Sequence, residues 1–300
     1  MDAPLVHDRL VVAVLSSGSR GNCTYIGDGK HGVLIDCGLS TRNVVNRLAG
    51  LGLGGRWGAP VDAVLVTHEH ADHVGAAAIL DRRMSEGRPE LLPFYITRGT
   101  EGALDARVRP RRVERVTPGR PFQLGSLRIE PMSVPHDTRE PVAFLVESHG
   151  VRAGVITDLG RTTTMVEHAL GSLDVAVLEF NHDLEMLMDG AYPWSLKQRV
   201  KGPHGHLSNA QAEAIVAAGA SSRLRHVVLA HLSQDNNRPD KAIAAAERGL
   251  HLAGVKAKIH VGRQFEATPP IAVDATPAPV RARPRGRAPA TPDLQQRLFP

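Results

Sequence analysis

Three histidines and one aspartate lie within six residues of this sequence, at His68, His70, Asp72 and His73. Imidazole and carboxylate groups are ligands for zinc, and the same mixture can bind manganese. In a turn, the first two histidines can point one way while Asp72 and His73 point another, so the segment could serve two metal ions. Four ligand residues at this spacing rarely coincide in a loop that binds nothing. The segment therefore predicts a metal site.

The ligand-rich turn lies between a predicted strand and a predicted helix. Residues 61–66 form an apolar, β-branched run, and residues 74–80 have a helical pattern. Other polar residues also follow apolar strands that the pattern predicts, and these residues are Asp36, His136, Asp158 and His231. Ligand-type residues at the ends of successive strands are what a site at one rim of a packed sheet requires.

The order of these residues resembles the HxHxDH motif and the later ligand series of the metallo-β-lactamase superfamily. The resemblance implies two metal ions that share Asp158, with Asp36 orienting the ligands. The first ion would take His68, His70, His136 and Asp158, and the second would take Asp72, His73, Asp158 and His231. It also implies an α/β fold, the αβ/βα four-layer sandwich, in which two sheets lie face to face with helices outside.

Two divalent metal ions would suit phosphodiester chemistry. Two cations about 3.5–4 Å apart can clamp the attacking and leaving oxygens of an in-line displacement. Because no thiol belongs to the ligand set, zinc and manganese both remain open as the native metal.

The spacing between the later ligands narrows the family. Asp158 and His231 are 231 − 158 = 73 positions apart, which leaves no room for the β-CASP domain of RNA-processing members. The segments 16–23, 179–187, 192–200, 205–209 and 231–237 resemble the YycJ/WalJ group of compact metallo-β-lactamase-fold nucleases, and the likeness spans about residues 10–262. This resemblance implies 5′-to-3′ exonuclease action on DNA in bacterial DNA repair, which includes mismatch repair as a candidate.

Two residues are candidates for catalysis. His206 follows Gly205 and resembles the histidine of the GHST element in tRNA-3′-processing nucleases of this fold. A histidine beside the metals that is not a ligand can protonate the leaving oxygen, although His206 could instead cap the helix predicted near Ser208. Asp72 would hold or deprotonate the attacking water.

Several residues are candidates for substrate contacts, each with a structural alternative. Asn181 and His182 would line the cleft or pack inside the fold, whereas Lys197 and Arg199 would hold backbone phosphates or form a solvated helix face. Tyr192 and Trp194 would stack on unpaired bases or pack in the core. The glycine-rich turn 16–22 and the arginines of residues 107–120 could bind phosphate, or could form a plain turn and a charged sheet edge.

The composition is that of a soluble protein. Hydrophobic residues make up 42% and charged residues 22% of the 300 positions. No apolar run approaches the roughly 18 residues of a membrane span, and the first residues lack a secretory signal. We therefore expect a cytoplasmic protein without a membrane partner, in which the two cysteines stay reduced.

The last part of the sequence differs in composition. Residues 1–268 form the predicted catalytic domain, and residues 269–300 contain 8 of the 21 prolines and several arginines, which predicts a disordered basic tail. Gln295, Leu298 and Phe299 resemble the pentapeptide that binds the bacterial sliding clamp. The alternative is a charged tail that adds non-specific affinity for DNA.

These observations leave competing functions. The first is a metal-dependent DNA exonuclease acting on single strands or on nicked or ended duplexes; the enzyme alternatives are an RNA-processing nuclease and a glyoxalase II-like thioester hydrolase. The elements around His206 and around Asn181 and His182, together with the basic tail, argue against the thioester hydrolase. A clamp-associated binding protein with a structural metal is disfavoured, because structural zinc sites are usually closed and four-coordinate.

Overall fold

The computed structural model describes residues 9–53 and 60–275. Over these residues the strands are β1 (Arg9–Ser16), β2 (Cys23–Gly27), β3 (Gly32–Ile35), β4 (Ala63–Leu65), β5 (Phe94–Thr97), β6 (Val113–Val116), β7 (Phe122–Leu124), β8 (Leu127–Ser133), β9 (Val142–Ser148), β10 (Val151–Ile156), β11 (Val175–Glu179), β12 (His226–Ala230), β13 (Lys258–Val261) and β14 (Ile271–Asp274). The helices are α1 (Thr41–Gly50), α2 (Ala71–Val74), α3 (Ala77–Ser85), α4 (Arg98–Ala103), α5 (Thr164–Gly171), α6 (Leu184–Asp189), α7 (Trp194–Val200), α8 (Asn209–Gly219) and α9 (Pro239–Ala253).

The strands form two seven-stranded sheets. One has the order β14-β1-β2-β3-β4-β5-β6, and the other has the order β13-β12-β11-β10-β9-β8-β7. Strands β3 to β6 pair in parallel, and so do strands β10 to β13. Because the carboxyl ends of parallel strands meet at one edge, each sheet gathers its strand-end residues at one rim.

Three apolar layers hold the sheets and helices together. Side chains such as Val12, Phe144 and Val177 form the layer between the two sheets. A second layer joins the outer face of the second sheet to α5, α8 and α9, and a third joins the first sheet to α1 and α3. This arrangement confirms the predicted four-layer sandwich.

The folded domain extends beyond the predicted boundary at residue 268. Residues Ile271–Asp274 form the edge strand β14, which pairs antiparallel with β1 in the register Val12↔Ile271 and Arg9↔Asp274. Ile271 and Val273 are buried because their side chains enter the layer between the sheets. The proline-rich composition concealed this short alternating segment. The predicted tail from residue 276 onward, with Gln295, Leu298 and Phe299, lies outside the described residues.

Among the described residues, no helix combines the length and the apolar character that crossing a membrane requires.

Candidate metal centre

Strand ends from both sheets deliver the predicted ligands to one place. The turn after β4 carries His68, His70 and His73, and the second sheet contributes His136 after β8, Asp158 after β10 and His231 after β12. The backbone is left-handed at Asp158 (φ 60°) and His231 (φ 56°), as it is at Asp36 after β3 (φ 62°). Such conformations cost a non-glycine residue about 1–3 kcal/mol and cluster at functional sites.

The first group of potential ligands contains three histidines. The Nδ1 atom of His70 lies 3.2 Å from Nε2 of His68 and 3.3 Å from Nε2 of His136. Three ring nitrogens therefore face a common point. Without a cation, one nitrogen in each of these two contacts would have to carry a proton and act as the hydrogen-bond donor. Nδ1 of His136 lies 3.1 Å from the Gly205 carbonyl, which orients that ring. This donor set fits a divalent ion that prefers imidazole.

The second group combines Asp72, His73 and His231. Oδ2 of Asp72 lies 3.3 Å from Nε2 of His231 and 3.5 Å from Nε2 of His73. Asp158 lies between the two groups, with Oδ2 3.3 Å from His73 Nε2 and Oδ1 3.9 Å from His136 Nε2. Within the described residues, the buried Oδ2 of Asp158 has no hydrogen-bond partner. An unpaired buried carboxylate oxygen between two imidazole clusters fits a residue that would hold a divalent cation.

Asp36 lies behind the ligands and orients His73. Its Oδ2 is 2.7 Å from Nδ1 of His73, so that ring donates through Nδ1 and presents Nε2 to the site. The same carboxylate accepts hydrogen bonds from the backbone N–H and the hydroxyl of Thr67. These contacts support the predicted role of Asp36 in orienting His73.

The glycine-rich turn 17–22 braces the second group. The Ser17 hydroxyl accepts a hydrogen bond from the backbone N–H of His231 at 2.6 Å, and the Asn22 amide donates to Oδ2 of Asp72 at 3.2 Å. A Cβ on Gly38 would lie 1.7 Å from the Asp72 carbonyl oxygen, so only glycine permits this packing. The turn therefore supports the ligands, and these contacts do not favour the phosphate-binding alternative.

The buried carboxylates attract positive charge. Burial would raise the pKa of Asp72, but hydrogen bonds from His231 and His73 outweigh it and hold that pKa far below its usual range. Burial acts in the same direction on Asp158, and His231 and His73 again lower its pKa well below the ordinary value. Burial would lower the pKa of His73, yet Asp158 raises it well above normal. A divalent cation bound here would take the place of that proton.

His206 is held beside both groups by a buried carboxylate. Its Nδ1 donates to Oε1 of Glu179 at 2.7 Å and lies 3.6 Å from Oδ1 of Asp158. Oε2 of Glu179 accepts the Leu159 backbone N–H at 2.7 Å, and Oε1 lies 3.5 Å from Nδ1 of His231. Burial would raise the pKa of Glu179, but His206 outweighs it and lowers that pKa. Glu179 is fully buried behind both rings, so it supports them and does not reach the surface.

Comparison with known proteins decides the family. Residues 31–232 match the β-lactamase superfamily domain. The exodeoxyribonuclease YycJ of Bacillus anthracis is 31% identical over 259 residues, which cover 85% of this chain and 92% of that protein. The chain belongs to the YycJ/WalJ family of the metallo-β-lactamase superfamily. The exodeoxyribonuclease WalJ of Streptococcus pneumoniae is 29% identical over 269 residues, or 86% of this chain and 96% of that protein.

The solved structures agree on the fold. The metallo-β-lactamase fold protein YhfI of Bacillus subtilis matches with a TM-score of 0.63 at 16% identity, covering 86% of this chain and 99% of that chain. This likeness concerns the fold alone. With its YycJ/WalJ family membership and its clustered ligands, the chain is a metal-dependent hydrolase.

Two of the predicted substrate residues line a cleft beside the candidate metal centre, and one of them, Asn181, also contacts a predicted metal ligand. Arg199 lines the cleft beside His206, and its Nε donates to Oδ2 of Asp137 at 2.7 Å. Asn181 also lines the cleft, but its amide donates to the His231 carbonyl at 2.8 Å and lies 3.1 Å from the ring Nδ1 of His231. Asn181 therefore positions His231.

The other two predicted substrate residues lie elsewhere. His182 is 1% exposed and does not belong to the lining of the cleft, which favours the alternative that it packs inside the fold. The Lys197 amine donates to the Met188 carbonyl at 2.6 Å, which ties it to the preceding turn. Exposed Trp194 contradicts the core-packing alternative, and Lys201 lies 5.4 Å above its ring.

Most arginines of residues 107–120 are neutralised locally. Four of the six form ion pairs: Arg107, Arg111, Arg112 and Arg115 pair with Asp105, Asp81, Glu90 and Glu101. These contacts favour the charged-edge interpretation over a phosphate track.

Glu179 is a site residue that the sequence did not predict. It is the last residue of β11 and follows four apolar residues, so an acidic residue at the carboxyl end of a buried parallel strand was the available signal. Asp137 was also missed, although it follows His136 directly and its Oδ1 lies 3.4 Å from Nε2 of that histidine.

Proposed function

We propose that the chain is a dinuclear-metal-dependent exodeoxyribonuclease that degrades DNA from the 5′ end in DNA repair. The observation that carries the proposal is the convergence of seven potential ligands from both sheets, with His206 beside them. Both YycJ and WalJ are named exodeoxyribonucleases, which supports DNA as the substrate of this chain. Chromosomal DNA as substrate also favours a cytoplasmic location.

The proposed ligands divide as the superfamily pattern implies. One ion would be held by His68, His70, His136 and Asp158, and the other by Asp72, His73, Asp158 and His231. When bound, zinc or manganese would supply Lewis-acid stabilisation of negative charge on the phosphoryl oxygens.

Residues of the chain would perform the remaining work. Asp72, whose Oδ2 lies 3.3 Å from Nε2 of His231, would accept a proton from, or orient, the attacking water. His206 is oriented by Glu179, and in its protonated form it would give a proton to the leaving oxygen. Arg199, held by Asp137, would contact a phosphate of the strand near the metal centre.

One set of assays tests this proposal. The substrates are 5′-labelled and 3′-labelled DNA and RNA, single-stranded and duplex, with manganese or zinc, and the enzymes are the wild type and Asp72→Ala. We expect stepwise release of label from the 5′ end of DNA by the wild type alone. Faster cleavage of RNA than of DNA would support the RNA-processing alternative. Thioester hydrolysis without nuclease activity would support the glyoxalase II-like alternative.

The C-terminal residues carry a separate proposal about a partner. We propose that Gln295, Leu298 and Phe299 bind the bacterial sliding clamp, as their sequence pattern suggests. A pull-down with purified clamp compares the wild type with the double variant Leu298→Ala/Phe299→Ala. Selective loss of the clamp in the variant is expected, and equal retention would reject the proposal.

A further inference from the structure

A small cleft opens directly onto the candidate metal centre. It has a volume of about 150 Å³, and its lining includes Tyr192, Leu196, Arg199, His206, His231 and Asn236. Drug-sized ligands usually occupy pockets of roughly 300–1,000 Å³. This cleft is therefore suited to a single planar ring system and is too small for a base pair.

Asn236 contributes an amide without a partner. Its backbone is fixed, because the N–H donates to the Ser233 hydroxyl at 3.1 Å and the carbonyl accepts the Asp183 N–H at 2.9 Å. The side chain is 1% exposed, and neither Oδ1 nor Nδ2 has a hydrogen-bond partner within residues 9–53 and 60–275. A buried amide normally satisfies both atoms. An unpaired amide in the lining of a cleft points to a ligand that carries both donors and acceptors.

Tyr192 contributes an aromatic ring to the same cleft. The ring is half-buried, and its hydroxyl donates to Oδ2 of Asp235 at 3.1 Å, which restrains the side chain at the cleft wall. Leu196 and Val200 from α7 add apolar surface. A ring with apolar neighbours and one free amide is a combination that recognises a planar heterocycle by stacking and by its polar edge.

We propose that this cleft binds the unpaired base of the terminal nucleotide while the adjoining phosphodiester lies at the metal centre. The inference rests on the proposed nuclease function and adds the base as a recognised part of the substrate. Each base presents both donors and acceptors at its edge, and an amide can rotate to present either its oxygen or its nitrogen. The cleft therefore requires a base but tolerates all of them, as an exonuclease must.

The test compares single-stranded oligonucleotides that differ only at the terminal nucleotide. One carries a normal base at the end that the enzyme attacks, and the other carries an abasic tetrahydrofuran residue there. For the full-length wild-type protein with manganese, we expect the first cleavage to be about 10-fold faster or more when the base is present, since base–aromatic stacking alone is worth this factor. The readout is the ratio of the two rates, which cancels any change in folded fraction or metal content.

Variants assign this ratio to the cleft. Asn236→Ala and Tyr192→Ala should each bring the ratio towards one, whereas Tyr192→Phe retains the ring and should keep most of it. Phe265→Ala is the matched control, because Phe265 is an exposed aromatic residue in a neighbouring cleft that is also lined by Leu232 and Ser233. A ratio that Phe265→Ala abolishes would overturn the assignment to this cleft.

The outcomes separate this inference from the proposed function. Equal cleavage of normal and abasic ends by the wild type would overturn the base-binding cleft and leave the nuclease proposal intact. Failure to cleave either oligonucleotide or bis(4-nitrophenyl) phosphate would refute both.

Discussion

Replacement of Glu179 by glutamine tests whether the buried carboxylate acts through His206. The substitution preserves the size of the side chain, and its remaining carbonyl oxygen can still accept the Leu159 N–H. In that orientation the new NH₂ group faces Nδ1 of His206, so the charged hydrogen bond of 2.7 Å is lost. Nδ1 of His206 would then have to accept a hydrogen bond instead of donating one. The ring could not carry protons on both nitrogens, as a proton donor to the leaving group must.

The expected loss follows from the strength of that hydrogen bond. A hydrogen bond to a charged group contributes about 1.5–3 kcal/mol, and about 1.4 kcal/mol corresponds to a tenfold change in rate. We therefore expect kcat for phosphodiester cleavage to fall about 10- to 150-fold. Because Oε1 of Glu179 also lies 3.5 Å from Nδ1 of the predicted ligand His231, kcat is compared at saturating metal concentration.

The assay measures kcat on labelled DNA, metal content by elemental analysis, and the melting temperature of the same preparations. His206→Ala is the reference, because removing the ring also removes the group through which Glu179 acts. The double variant should be no slower than His206→Ala alone, since the two residues act as one unit. Additive losses of kcat at saturating metal would refute the positioning role through His206.

Three further predictions follow from other contacts. Asp36→Asn weakens the hydrogen bond that orients His73 and should lower metal affinity about 10- to 100-fold, measured by competition with a chelator; unchanged affinity would contradict the orienting role. Asp81→Ala removes the acceptor of the Arg111 N–H and guanidinium and the Ser85 hydroxyl, and it should lower the free energy of unfolding by about 2 kcal/mol in urea; a loss below 0.5 kcal/mol, about the level of a typical surface substitution, would count against it. Burial lowers the pKa of His182 to about 4, so the unfolded chain takes up a proton first and stability falls as pH drops from about 6.5 to 4. His182→Phe should lessen that fall, and parallel stability curves for wild type and variant across this range would refute it.

The ligand set could be predicted from the sequence because much of it is local. Four of the residues lie in one turn, and His136, Asp158 and His231 each follow an apolar strand. A residue that directly follows a strand lies at one rim of the sheet, whichever strands are its neighbours. A ligand-type residue at that position can therefore be recognised from the sequence alone. The two facing sheets were expected from the family resemblance and not from periodicity, which predicts separate strands and helices but not how they pack.

The remaining contacts depend on packing that periodicity does not encode. Nothing in the pattern around His182 distinguishes a buried side chain from one in the cleft, because the backbone there pairs with Ser208, which lies 26 positions later. Glu179 has the sequence context of any strand-end carboxylate, and its role depends on His206, which lies 27 positions later. The strand β14 was concealed because a four-residue edge strand requires a partner, β1, from the other end of the chain.

The antiparallel pairing of β1 and β14 also places Asp274, the last residue of β14, far from the reaction centre. Asp274 lies beside Arg9 at one end of β1, whereas Ser17, which contacts His231, follows its other end. Eight residues of strand span about 26 Å. Attachment to a bead or a coated surface through the residues after Asp274 would therefore leave the cleft open to solution, so that single DNA molecules could be followed as they shorten.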